Sequence, residues 1–209
     1  MKRKLLWCLP ALCFFMTNCT KEPLDNLTEE ESRIYITNYD TAAHFNNYRT
    51  FSISDSVAVI QNNQLQGREQ RSIDVQYVNA LVAALQSRGY TRVGRDQNPD
   101  LGIAISRVTN TSSSHISYSD YGGYYGSYWD PYYWDYPGYD YYFPTYYGVY
   151  QSNETSLMID AFDLKNSEQN NQIRDVWSGM IRGSGIFNSA TAESQVNALF
   201  QQSPYFKFQ

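Results

Sequence analysis

The residues of this chain that could do chemistry are few and poorly placed for one another. Asp160 and Asp163 come nearest to an acid pair, but three apart on an extended segment they face opposite sides, which separates them for joint acid/base or metal work. The plainer reading gives Asp160 a polar-face position and makes Asp163 the entry to a turn at Lys165-Asn166. The two histidines, His44 and His115, fall in a turn and in a Ser-rich loop, where a solvated surface role accounts for them. There is no Gly-x-Ser-x-Gly elbow, His-Glu-x-x-His pair, phosphate loop or Cys-x-x-Cys. Gly179, Gly183 and Gly185 surround a strand end and read as turn residues. No catalytic residue, metal ligand or cofactor is assigned, and a non-enzymatic role is expected. The alternative is a carboxylate-dependent enzyme acting on envelope polymers, which would need two acids converging in a cleft.

Cys19 carries a different chemistry. It follows a basic start (Lys2, Arg3, Lys4), an apolar run from Leu5 to Met16 and a short polar end, the layout of an export leader too short to span a bilayer. Met16-Thr17-Asn18-Cys19 resembles the bacterial lipobox, in which cleavage leaves an N-terminal cysteine whose thiol and amine are acylated. Residues 1–18 are thus expected to be a lipoprotein signal peptide, and residues 19–32 a polar, acidic tether carrying palmitate-type chains. Several acyl chains, at about 0.8 kcal/mol per buried CH₂, anchor a protein stably where a single chain does not. Cys8 and Cys13 leave with the leader, so no disulfide can form within the mature chain and a hydrophobic core must stabilise it. Loss of the leader lowers Lys+Arg from 16 to 13 against 21 Asp+Glu, a net charge of −8. Such a balance argues against nucleic acid as a partner. The expected location is the cell envelope, at the outer membrane, on either its periplasmic or its surface face.

The most biased composition lies between Tyr118 and Tyr150. Fourteen of its residues are Tyr, with Trp129, Trp134 and Phe143, five Gly, three Pro, four Asp and no Lys or Arg. Gly and Pro interrupt it too often for a helix or a long strand, and aliphatic core residues are nearly absent. Residues 110–155 therefore read as an insertion into a folded domain. Tyr and Trp present flat apolar faces with polar tips, a combination that stacks on sugar rings or anchors a protein partner. Tyr124, Tyr125, Tyr128, Trp129, Tyr132, Tyr133, Trp134 and Tyr136 form the candidate binding surface for an envelope protein or a glycan. Two other readings compete: an inert loop, and a layer of rings folded back over an otherwise exposed sheet.

The elements that must hold these features follow from periodicity. Ile34 and Ile36 alternate with Tyr35 and Thr37 as a strand, Tyr48 to Ser54 reads as a second, and Leu101, Ile103 and Ile105 mark another. Ser156 to Leu164 and Ile173 to Ile181 read as a hairpin pair. From Ser72 to Arg88, the residues Ile73, Tyr77, Leu81 and Leu85 fall on one helical face, which Val78, Val82 and Ala84 widen, and Gly89 supplies a stop. Val196, Leu199 and Phe200 mark a final helix ended by Pro204. The expected fold is α+β: a single domain over residues 33–209, with a mostly antiparallel sheet, two amphipathic helices on one face and a long Tyr-rich inserted loop.

Six stretches in order, ITNYD (36–40), FNNYRTF (45–51), LQSRGY (85–90), NPDLGI (98–103), LMIDAFDL (157–164) and VWSG (176–179), resemble the family of bacterial lipoproteins catalogued as domain of unknown function 4136. The resemblance covers most of the domain. What it implies is modest, since it brings no activity, catalytic residue or ligand with it.

Overall fold

Alternation of apolar and polar residues builds most of one mixed sheet. The computed structural model describes residues 27–62, 64–109, 155–208 and the backbone of 140–142. Its strands are β1 (Ile34–Tyr39), β2 (Thr50–Ile53), β3 (Val57–Gln61), β4 (Gln64–Glu69), β5 (Thr91–Arg92), β6 (Leu101–Thr109), β7 (Asp140–Tyr142), β8 (Thr155–Asp163) and β9 (Gln172–Arg182). The main path runs β1-β9-β8-β6-β2-β5. The long ladders β1/β9, β9/β8 and β8/β6 are antiparallel, as is the β3/β4 hairpin. These long ladders make the sheet mostly antiparallel, as expected; the shorter pairings are parallel, β2 and β3 along β6, β5 along β2, and β7 along β9. Ser54 to Ser56 bulge out between β2 and β3, and Arg68 of β4 fills the bulge by donating to the Ser56 carbonyl at 2.7 Å and its hydroxyl at 2.9 Å.

Helix α1 (Ser72–Ser87) buries Tyr77, Val78, Leu81, Ala84 and Leu85, the stripe its periodicity predicts. It ends at Gly89 with φ 91°, the left-handed stop expected there. At its start the Asp74 carboxylate accepts from the Arg71 amide at 2.8 Å and lies 3.4 Å from the Arg107 guanidinium of β6, which ties the helix to the sheet. Helix α2 (Ser167–Asn170) is a single turn, and α3 (Ala192–Gln201) buries Gln195, Val196, Leu199 and Phe200. Both long helices share one apolar cluster with Phe51, Ile53, Leu101, Ile103, Ile105, Leu157, Ile159 and Trp177, so they cover a single sheet face. Gly179 of β9 is required there. A Cβ at this position would lie 2.6 Å from the Trp177 ring and 3.0 Å from Leu199, so the strand floor must be bare for the indole to lie along it.

The second sheet face is also buried. Met158, Phe162, Ile173 and Met180, with Asp160, Asp175 and Ser178, are all nearly inaccessible, yet none belongs to the cluster that contains the helices. The ends of β6 and β8, between which residues 110–154 are inserted, lie side by side, with the Thr109 and Thr155 hydroxyls 2.7 Å apart.

Candidate functional site

Of the residues singled out by sequence, Cys19, His115 and all eight candidate ring residues lie outside the described part of the chain. The described end of the tether is not featureless. Thr28 to Ser32 form a turn in which Glu31 accepts from the Thr28 amide at 2.9 Å, and Arg33 fastens it by donating to the Ser184 carbonyl at 3.1 Å. Gly183 and Gly185 have positive φ just after β9, the turn role expected of them.

Asp160 and Asp163 do face opposite sides of β8. Asp163 enters the turn as expected, accepting from the Asn166 amide at 3.0 Å and from the Asn166 side chain at 2.6 Å. The solvated polar-face position for Asp160 is corrected: Asp160 is buried on the second sheet face at 4 % exposure, beside Asp175 of β9 at 2 %. Burial raises Asp160 to about 7. Burial first, and then the neighbouring Asp160 charge, raise Asp175 well above the carboxylate range, against a backbone hydrogen bond from Trp177 that lowers it. Among the described residues Asp175 Oδ1 has no hydrogen-bond partner. Two carboxyls this close in an apolar face cannot both ionise cheaply, so the pair holds a proton near neutrality. Neither acid lines either of the depressions at the sheet end described next.

The accessible chemistry lies at the end of the sheet where β1 and β8 finish and β9 begins. Asp40, just past β1, turns the chain by accepting from the Ala42 amide at 2.9 Å and pairs with Arg174 of β9. A 3-10 turn, Phe45–Asn47, then carries His44, Asn46 and Asn47 over the sheet end and seats Phe45 in the core. Tyr48 is buried beside Asp163; burial, then the Asp163 charge, push its hydroxyl well above the ordinary phenol range and keep it a donor. Asp40, His44, Asn47, Tyr48, Asp163 and Arg174 line, together with Asn166 and Asn170, a depression of about 180 Å³ with Ala42, Ala43 and Val176 in its wall, while Asn46 lines the wider depression beyond. Past Asn47 and Asn166 a wider depression of about 600 Å³ reaches Arg49, Thr50, Asp100 and Lys165. Asp100 organises that second part: its carboxylate accepts from the Arg49 and Thr50 amides at 2.6 and 3.1 Å and lies 3.7 Å from Lys165 Nζ. Its backbone carbonyl accepts from the amides of Leu164 and Lys165 at 3.0 and 3.1 Å, so one residue ties the starts of β2 and β6 to the end of β8.

Sequence reading left His44 as a surface residue and passed over Asn46, Asn47, Asn170 and Arg174. No signal short of the tertiary fold assembles them, since they come from chain segments more than a hundred residues apart. Strand β7 meets β9 at the same end, with Tyr142 opposite Arg174, which brings the Tyr-rich segment's backbone beside this groove. Among the described residues no helix is long and apolar enough to cross a membrane, and no group of three or more His, Cys, Asp or Glu is placed to hold a metal.

A solved DUF4136 family protein from Bacteroides thetaiotaomicron is 27 % identical to this chain, with a TM-score of 0.68 over 84 % of it and 98 % of the solved chain. The PelC dodecamer from Paraburkholderia phytofirmans is more distant, 14 % identical with a TM-score of 0.42, covering 85 % of this chain and 99 % of the solved one. No curated protein matches. The model of the domain-of-unknown-function family DUF4136 matches residues 36–205, which take in β1 from Ile36, the rest of the sheet's main path and both long helices, and the chain belongs to that family.

Proposed function

We propose that this protein is a non-enzymatic, lipid-anchored component of the cell envelope, held at the outer membrane by acylated Cys19, whose domain presents its Tyr-rich segment to a protein partner or a glycan. The observation that carries this reading is where the segment is rooted. It leaves from β6 and returns to β8, two paired strands at the centre of the sheet, and its residues Asp140–Tyr142 join the same sheet beside β9. Binding residues set on a loop fixed to a rigid scaffold are a recurrent arrangement in proteins. Asp160 and Asp175 are buried away from the depressions, and the carboxylates that do line them, Asp40, Asp163 and Asp100, are already engaged by Arg174, Asn166 and Lys165, which weighs against the carboxylate enzyme.

Replacing Tyr124, Tyr125, Tyr128, Trp129, Tyr132, Tyr133, Trp134 and Tyr136 together by Ser tests the binding surface. Retention of the protein on envelope-glycan preparations or on its envelope partner is expected to fall tenfold or more, while the unfolding free energy stays within about 0.5 kcal/mol of wild type. Unchanged retention would return the segment to an inert loop. A loss of several kcal/mol in stability would instead assign these rings to the covering of the second sheet face.

For the anchor, Cys19→Ala is expected to move the protein from the membrane pellet to the soluble fraction after a high-salt wash. A variant that still sediments would refute lipid attachment at this residue.

A further inference from the structure

We infer that the two joined depressions at the β8–α2–β9 end of the sheet form a binding groove for a neutral, polyhydroxylated ligand, a saccharide unit, independently of the Tyr-rich segment. The inference rests on which polar groups there are spent and which are free. The charged groups are paired off: Asp40 with Arg174, Asp100 with Lys165, and Asp163 with the amide and side chain of Asn166. With Arg49 included, three carboxylates face three cations, so the groove carries no net charge to draw a phosphate or a metal ion.

The uncharged groups differ. The His44 imidazole and the side-chain amides of Asn46, Asn47 and Asn170 make no hydrogen bond among the described residues. Each amide offers two donors and an acceptor, the mixed capacity that matches neighbouring hydroxyls, each of which both donates and accepts. Ala42 and Ala43, over the buried Val176, add an apolar patch to the wall of the smaller depression, suited to the C–H face of a pyranose ring. The wider depression, about 600 Å³, falls within the range of about 300–1,000 Å³ typical of small-ligand sites. The smaller depression is fixed beforehand by the Asp40 turn and the Asp163–Asn166 pair and the wider one by the Asp100 knot, which lowers the ordering cost of binding.

The test is titration of the full-length protein in detergent micelles with chitotriose, maltotriose and inorganic phosphate, followed by calorimetry. At least one trisaccharide is expected to bind with Kd of about 1 mM or tighter. Its affinity should change less than twofold between about 0.05 and 0.5 M NaCl, as a neutral ligand requires. Asn47→Ala combined with Asn170→Ala, both at exposed positions, should weaken it tenfold or more, whereas Asn197→Ala on the exposed side of α3 should not. Far-ultraviolet circular dichroism of the double variant should match wild type. Absence of saturable binding by either trisaccharide at about 10 mM overturns the inference, as do salt-sensitive phosphate binding at the Asn pair and indifference of the saccharide affinity to that pair. The eight-Ser ring variant separates the two readings: retained trisaccharide affinity supports the groove, and loss there with none in the Asn double variant moves the site to the Tyr-rich segment.

Discussion

Trp177→Ala is expected to lower the unfolding free energy by about 3–5 kcal/mol, the range for removing a large aromatic side chain from a packed interior. The indole is fully buried on β9, stacked parallel on Phe200 of α3 at 5.4 Å between ring centroids and edge-on to Phe206 at 5.3 Å. Its removal therefore opens a cavity where the sheet, α3 and the C-terminal turn meet. The indole N–H also donates to the Ser203 hydroxyl at 2.8 Å, and truncation leaves that buried hydroxyl only the longer bond from Tyr205 at 3.3 Å. The bare floor at Gly179 cannot collapse to refill the space. Urea unfolding measures the outcome, and a midpoint within error of wild type would contradict this packing.

Asp160→Asn is expected to raise stability at pH 7.5 and to leave it nearly unchanged at pH 4. The sign follows from linkage. Below about pH 4 the carboxyl is protonated in both folded and unfolded chains and contributes no difference. Between there and about 7, the value to which burial raises Asp160, the unfolded chain has released its proton while the folded one still holds it. Folding stability thus falls as pH rises through that window, by about 1.4 kcal/mol per pH unit for each such group. The amide keeps the shape of the protonated acid and removes the titration. It also relieves Asp175 of the adjacent charge that helps to raise it. Denaturant unfolding of both proteins across pH 4–8 measures the effect. A variant less stable than wild type at pH 7.5 would show that the pair is ionised and held by other groups.

The two experiments probe opposite faces of one sheet, and those faces differ in how far the sequence alone specified them. Strands β1, β6, β8 and β9 and helix α1 were legible because their signal is local: apolar side chains recur every second residue in β1 and β6, short segments rich in Leu, Met, Ile, Phe, Val and Trp mark β8 and β9, and the helix keeps 3.6-residue spacing. Gly89 marked the end of α1 for an equally local reason, its left-handed backbone. The scarcity of His and Cys and the lack of catalytic motifs were likewise read directly from residue types.

The β3–β4 hairpin escaped notice. Gln64, Gln66, Gly67 and Arg68 give β4 no apolar alternation, and only pairing with β3 makes it a strand. The acid pair was hidden by register. Asp175 and Trp177 are two apart and would share a face in a regular strand, but the bulge at Val176 opposes Ala161 to Trp177 and Phe162 to Asp175, which turns Asp175 to the second face beside Asp160. The groove was hidden by distance along the chain. Asp40, Asn47, Asp163, Asn170 and Arg174 become neighbours only when β1, β8 and β9 are laid in register. What the sequence determined by itself was periodicity, composition and the chemistry each residue type can supply. Which carboxyl meets which, and which side chains line the depressions at the sheet end, depends on non-local pairing of strands, and only the tertiary structure decided that.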